Sequence, residues 1–158
     1  MLLPLSHYEK SAELSPPRST GIANCRLGYG IPIIEHWGPS CAYCGKDLLE
    51  SYDAWLDLSV DHIVPVCMLK QWGSECQSWI GSIANLVPCC RACNEFLNGY
   101  RIADKTPPDG VAFLELRKRV LAEKRELALR RHQQELKAYA SRLRQLTPSP
   151  CPSEPKST

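Results

Sequence analysis

At 158 residues the chain has the length of one modest domain with extensions. Charged residues make up 23% and hydrophobic ones 44%, as in ordinary soluble globular proteins, and no run approaches the ~18 apolar residues of a membrane span. The net charge of +2 is unevenly placed: residues 1–100 carry 6 Lys+Arg against 10 Asp+Glu, net −4, whereas residues 101–158 carry 13 against 7, net +6. The second half is therefore the one suited to a polyanion, and the first keeps acidic groups for other work.

Residues 1–35 read as an irregular leader. The opening MLLPLSHYEKSAE has no basic n-region and no long apolar stretch, so it does not read as a signal peptide. The expected setting is cytoplasmic, where nine cysteines, an odd number, suit metal ligation better than a disulfide framework. LSPPRSTG (14–21) marks a loop or linker, and GYGIPIIEHW holds a candidate short strand.

Residues 36–104 form the dense part of the chain. Cys41-Ala-Tyr-Cys44 is followed by Gly45, which eases a tight turn. LDLSVDHIVPV is a β-branched and aliphatic run closed by Pro65, a strand signature. Cys90-Arg-Ala-Cys93 supplies a second C-x-x-C pair. A C-x-x-C turn brings two sulfurs to the separation a tetrahedral ion requires, and two turns complete a closed, structural Zn²⁺ site that clamps the segment between them. Cys89 is an alternative to Cys90, at the cost of turning the second pair into C-x-x-x-C. Buried free thiols and a thioredoxin-like redox pair are competing readings, the latter without the βαβ pattern it needs.

KTPPDG (105–110) then breaks the chain. Residues 109–146 form a helix by propensity: 111–146 contain no Gly or Pro and hold 10 Lys+Arg against 4 Glu. Asp109 is the expected N-cap. Leu136, Tyr139, Leu143 and Leu146 fall at 3-4-3 spacing, and Leu114, Leu121 and Ala128 add a looser stripe. The helix suits a solvated face, a DNA-contacting arm or a homodimer contact. Residues 147–158, TPSPCPSEPKST, have the composition of a disordered tail.

Inside the clamp, Asp61-His62 lies in an apolar strand, a costly place for two polar groups without a purpose. A dipeptide alone fits a structural role, such as a cap or a core hydrogen bond, better. The ordered set CAYCG, LSVDHIVP and IANLVPCCRACN resembles the zinc-stapled branch of the HNH endonuclease family over residues 37–101, about 40% of the chain. The resemblance implies a small ββα-metal module with the four-cysteine zinc site, which together with the long C-terminal α-helix read from propensity makes an α+β fold. It implies a metal-dependent DNA endonuclease. In that reading His62 is the general base, Asn85 orients it, and Asp61 and Asn94 hold a catalytic Mg²⁺ or Mn²⁺. The family's final histidine is here Asn94, and its Lys-Gly is here reduced to Gly99. Arg91 and Arg101 are then the candidate phosphate contacts, with Arg117 and Lys118 on the helix, and double-stranded DNA is the expected partner. Restriction, phage defence and mobile elements are the settings such an enzyme serves. The alternative is a zinc-stapled module that binds nucleic acid or protein without catalysis.

Overall fold

The computed structural model describes residue 26 and residues 30–73, 76–104 and 106–146. The expected irregular leader up to residue 25 and the expected disordered tail 147–158 lie outside the described residues. Among the described residues the fold mixes helix and strand, α+β in class, around one two-stranded sheet.

Helix α1 (Ile31–Trp37) stands where the sequence suggests a strand. Three isoleucines favour a pleated surface, but Pro32 in the first turn costs a helix nothing and removes a ladder donor from a strand. The helix ends at Gly38, whose φ of +86° lets its N–H return to the Ile34 carbonyl at 2.7 Å. A short α2 (Tyr52–Leu56) is capped by Ser51, whose side chain accepts from Ala54 N–H.

Strand β1 (Leu58–His62) pairs antiparallel with β2 (Leu86–Cys90), placing Leu58 opposite Cys90, Ser59 opposite Cys89, Val60 opposite Pro88, Asp61 opposite Val87 and His62 opposite Leu86. Between them run α3 (Leu69–Trp72) and α4 (Gln77–Ile80), which bury Trp72 and Ile80. β2 is buried throughout, and the Pro88 carbonyl on its outer edge accepts from Ala42 N–H at 2.8 Å. The first cysteine turn therefore covers the edge on which proline has no donor to offer. Helix α5 (Arg91–Leu97) follows β2 without a loop and buries Cys93 and Leu97.

Helix α6 (Gly110–Leu146) begins as expected, Asp109 Oδ1 accepting from Ala112 N–H at 2.8 Å. Asp109→Ala is expected to cost about 1 kcal/mol, read as a shift in the urea midpoint with unchanged slope. The helix packs through Phe113, Leu116, Arg117, Val120, Leu121, Lys124 and Ala128, all buried at three- and four-residue spacing. Leu121 and Ala128 of the expected looser stripe lie on this face, and Leu114 is half-buried beside it. Farther along, Leu136, Tyr139, Leu143 and Leu146 are exposed. No helix of the described residues is long and apolar enough to cross a membrane.

Candidate functional site

The four predicted sulfur ligands come together. Cys41, Cys44, Cys90 and Cys93 place their sulfurs within 4.8 Å of one another, and Cys44 Sγ lies 3.8 Å from Cys90 Sγ. A tetrahedral zinc with bonds of ~2.3 Å needs sulfurs ~3.8 Å apart, so the donor set fits the ion. Gly45, at φ +80°, closes the first turn by donating to the Cys41 carbonyl at 2.9 Å. The choice between Cys89 and Cys90 is decided by strand alternation: neighbours on β2 face opposite ways, and Cys90 is the one aimed at the cluster. Cys89 instead lies with Ser59 and Asp61, fully buried, and burial pushes its thiol well above the ordinary range. Within the cluster, hydrogen bonds from Cys44, Cys90 and Cys93 hold Cys41 far below an ordinary thiol, while Cys41 pushes Cys90 and Cys93 up. The four thiols compete for protons, a crowding that a bound cation relieves.

Helix α6 also reaches this cluster. His132 Nε2 lies 3.2 Å from Cys93 Sγ, and its ring packs edge-on against Phe96 with centroids 5.1 Å apart. Cys44, Cys90, Lys46, Asp57 and His132 line a cavity of about 390 Å³, so the cysteine cluster borders open space on this side.

Ser59 and Asp61 share one face of β1, two residues apart. Asn94, in the first turns of α5, donates from Nδ2 to Ser59 Oγ at 2.8 Å, which brings its amide to that same face. Asp61 Oδ2 accepts from the Tyr43 hydroxyl at 2.6 Å and from Lys124 Nζ at 2.8 Å. Tyr43 sits between the two cysteines of the first turn, so the turn itself sets the phenol against the carboxylate. Burial, then the Asp61 charge, raises Tyr43 well above the usual phenol range, which keeps it a donor.

His62, the last residue of β1, alternates away from Asp61. Burial first holds its imidazole below the ordinary range, Lys124 adds to that, and Asp61 pulls the other way. A neutral ring near pH 7 follows, the form able to accept a proton.

Asn85 does not aim the His62 ring. Its Nδ2 donates to the carbonyls of Val64 and Ile80, both at 2.9 Å, and its Oδ1 accepts from Val64 N–H at 2.9 Å. Both amide hydrogens are thus spent on backbone. The residue acts one step removed, fixing the segment that leaves β1, and the Ile63 N–H to Asn85 carbonyl bond at 2.8 Å helps it. Asn85 is fully buried, as are Val64 and Ile80. Asn85→Ala leaves three buried backbone groups unpartnered and is expected to cost roughly 3 kcal/mol or more, measured by urea unfolding of the zinc-loaded chain. A loss below ~1 kcal/mol would contradict this role.

As arranged, Asp61 and Asn94 do not fit a divalent ion. The carboxylate oxygen already holds an ammonium and a phenol, and a second cation at the same oxygen meets strong repulsion in so dry a site. The candidate phosphate contacts divide. Arg91 and Lys118 are exposed and paired with Glu95 at 3.4 Å and Glu115 at 2.6 Å. Arg101 is exposed and donates to the carbonyls of Asn98 and Tyr100 at 3.3 and 2.8 Å. Arg117 is a correction: it is fully buried in the α6 packing face, so it presents no charge to a phosphate outside.

Tyr43, Ser59, Lys124 and His132 are not among the residues that the sequence singles out. Only Tyr43 carries a local signal, its place inside a cysteine turn. No family model, no curated protein and no solved structure matches this chain.

Proposed function

We propose that this chain is a zinc-stapled endonuclease of the HNH kind, hydrolysing phosphodiester bonds in double-stranded DNA. The observation that carries the reading is the order β1, β2, α5: an antiparallel hairpin runs directly into a helix, with His62 ending β1 and Asn94 reaching back from the helix to the same strand. The zinc staple holds the start of that helix, and Asn85 holds the chain just beyond His62.

In the proposed reaction a water oxygen attacks the phosphorus in line with the leaving 3′ oxygen. His62 takes the water's proton, a task suited to a neutral imidazole. The P–O3′ bond breaks, the 3′ oxygen takes a proton from solvent while His62 returns its own to solvent, and the products are a 5′ phosphate and a 3′ hydroxyl. Asp61 and Asn94 are the residues that would hold the Mg²⁺ or Mn²⁺ of an HNH enzyme, and as arranged Lys124 and Tyr43 occupy the Asp61 carboxylate in its place. The exposed basic residues of α6 and Arg91 and Arg101 supply the charge that draws DNA in. A DNA substrate goes with a cytoplasmic setting. A second copy pairing on Leu136, Tyr139, Leu143 and Leu146 would bring two sites together, one for each strand.

A second reading, a zinc-stapled binding module without catalysis, is favoured by one observation: Asp61 and Asn94 already have protein partners. Supercoiled plasmid with Mg²⁺ or Mn²⁺ separates the two. Nicking that is lost in His62→Ala supports the enzyme, and DNA binding without nicking supports the module.

A further inference from the structure

Helix α6 packs closely as far as Ala128, which is fully buried. From residue 129 to residue 143 every residue is exposed except one, His132. Its Nε2 lies 3.2 Å from Cys93 Sγ, and its ring meets Phe96 edge-on with centroids 5.1 Å apart. Leu129 and His132 also line the cavity that borders Cys44 and Cys90, so this turn of α6 stands beside the cysteine cluster on its open side. Contact with Phe96 asks only for a ring at position 132, and a phenylalanine would meet it. The nitrogen placed on the sulfur is what the packing leaves unexplained.

The four sulfurs fit a tetrahedral zinc. A zinc-bound thiolate has no proton to give, so its hydrogen bond to an imidazole nitrogen has one possible sense: Nε2–H donates and the sulfur accepts. Negative charge on the acceptor makes that bond stronger than one to a neutral thiol. We propose that His132 is a positioning residue of the zinc staple, donating Nε2–H to the zinc-bound thiolate of Cys93 and so latching the last packed turn of α6 to the metal site. The two effects are reciprocal: the factor by which docking of that turn raises zinc affinity is the factor by which zinc favours the docking. The exposed stretch beyond it, with Leu136 and Tyr139, takes its direction from this latch. The latch rests on the four-cysteine zinc site and not on the nuclease reading.

The test separates the hydrogen bond from the ring in the full chain. His132→Phe keeps an aromatic ring against Phe96 and removes the donor, whereas His132→Gln puts an amide N–H where Nε2 stands. Zinc affinity, measured by competition with a chelator, is expected to fall roughly 10–100-fold in His132→Phe and to stay near the wild type in His132→Gln. With Co²⁺ in place of zinc, the sulfur-to-metal charge-transfer band is expected to move to lower energy in His132→Phe, because losing the bond raises the energy of the thiolate electrons. In His132→Gln the band is expected to stay in place. Amide hydrogen exchange of the zinc-loaded chain is expected to quicken around residue 132 in His132→Phe and to hold steady around Phe113 and Val120. Unchanged zinc affinity or an unmoved band in His132→Phe overturns the proposal, and so does a His132→Gln chain that behaves like His132→Phe. The wild type gives a check that needs no variant to fold. The ¹⁵N spectrum of the imidazole in the zinc-loaded chain is expected to show a proton on Nε2, and an Nε2 without one, whether bare or bound to the metal, overturns the proposal. No arm reads DNA cleavage, so a chain that fails to nick leaves this result standing, and a chain that nicks does not rescue it.

Discussion

Cys93→Ser is expected to strip the chain of zinc and to unfold the β1–β2–α5 module. Cys93 is fully buried and joins three other sulfurs within 4.8 Å. The hairpin has only two strands, and a two-stranded sheet is marginal without help. A structural zinc in a small module carries ~10 kcal/mol or more of folding free energy, which rivals the whole stability of an ordinary domain. Cys41→Ser is expected to behave alike, because Cys41 anchors the turn that covers the edge of β2 and carries Tyr43 onto Asp61. Cys89→Ala is the control. Its thiol faces the other side of β2, so zinc is expected to stay near one per chain while a small cavity costs ~1 kcal/mol. Zinc analysis and circular dichroism check all three, and a Cys93→Ser chain that stays folded without zinc contradicts the staple.

The second large effect concerns His62. Its ring sits at the end of β1, held below its ordinary range by burial and so neutral near pH 7. Removing a general base costs roughly 10²–10⁴-fold in rate in typical enzymes, so His62→Ala is expected to slow plasmid nicking by about that factor. Its side chain makes no hydrogen bond or ion pair among the described residues, and the strand pairing that carries it is backbone. Zinc content and the urea midpoint are therefore expected to move little. A large loss of stability would mark His62 as a packing residue instead.

Much of the arrangement is legible in the residues because it is written in local spacing. The two C-x-x-C turns, the strand closed by Pro65 and the capped helix after Asp109 each follow from a few adjacent positions. Cys90 against Cys89 needs the register: the letters leave both open, and only the pairing with β1 shows which sulfur faces the other turn. The role of Asn85 differs from expectation for a similar reason, since a buried amide meets the nearest unpartnered backbone, here Val64 and Ile80. The α1 segment reads as a strand because three isoleucines outweigh Pro32 in a pattern judged by side chain alone.

Lys124 and His132 are beyond the reach of local spacing. Both lie in a basic helix whose composition describes a solvated face, and their partners are 63 and 39 positions away. Arg117 and Lys124 even hide the buried stripe, because two charged residues interrupt the apolar period that would reveal it. Lys124 and His132 are two turns apart on α6, and one meets Asp61 while the other meets Cys93. The terminal helix thereby touches both the staple and the polar face beside it, a coupling that only the folded chain displays.

The decisive measurement is the conversion of supercoiled plasmid to open circles by the zinc-loaded chain over a Mg²⁺ and Mn²⁺ titration, run beside His62→Ala. The expected result is metal-dependent nicking by the wild type and its loss in the variant, with zinc near one per chain in both. DNA that is bound but never nicked, at any concentration of either ion, would contradict the endonuclease reading.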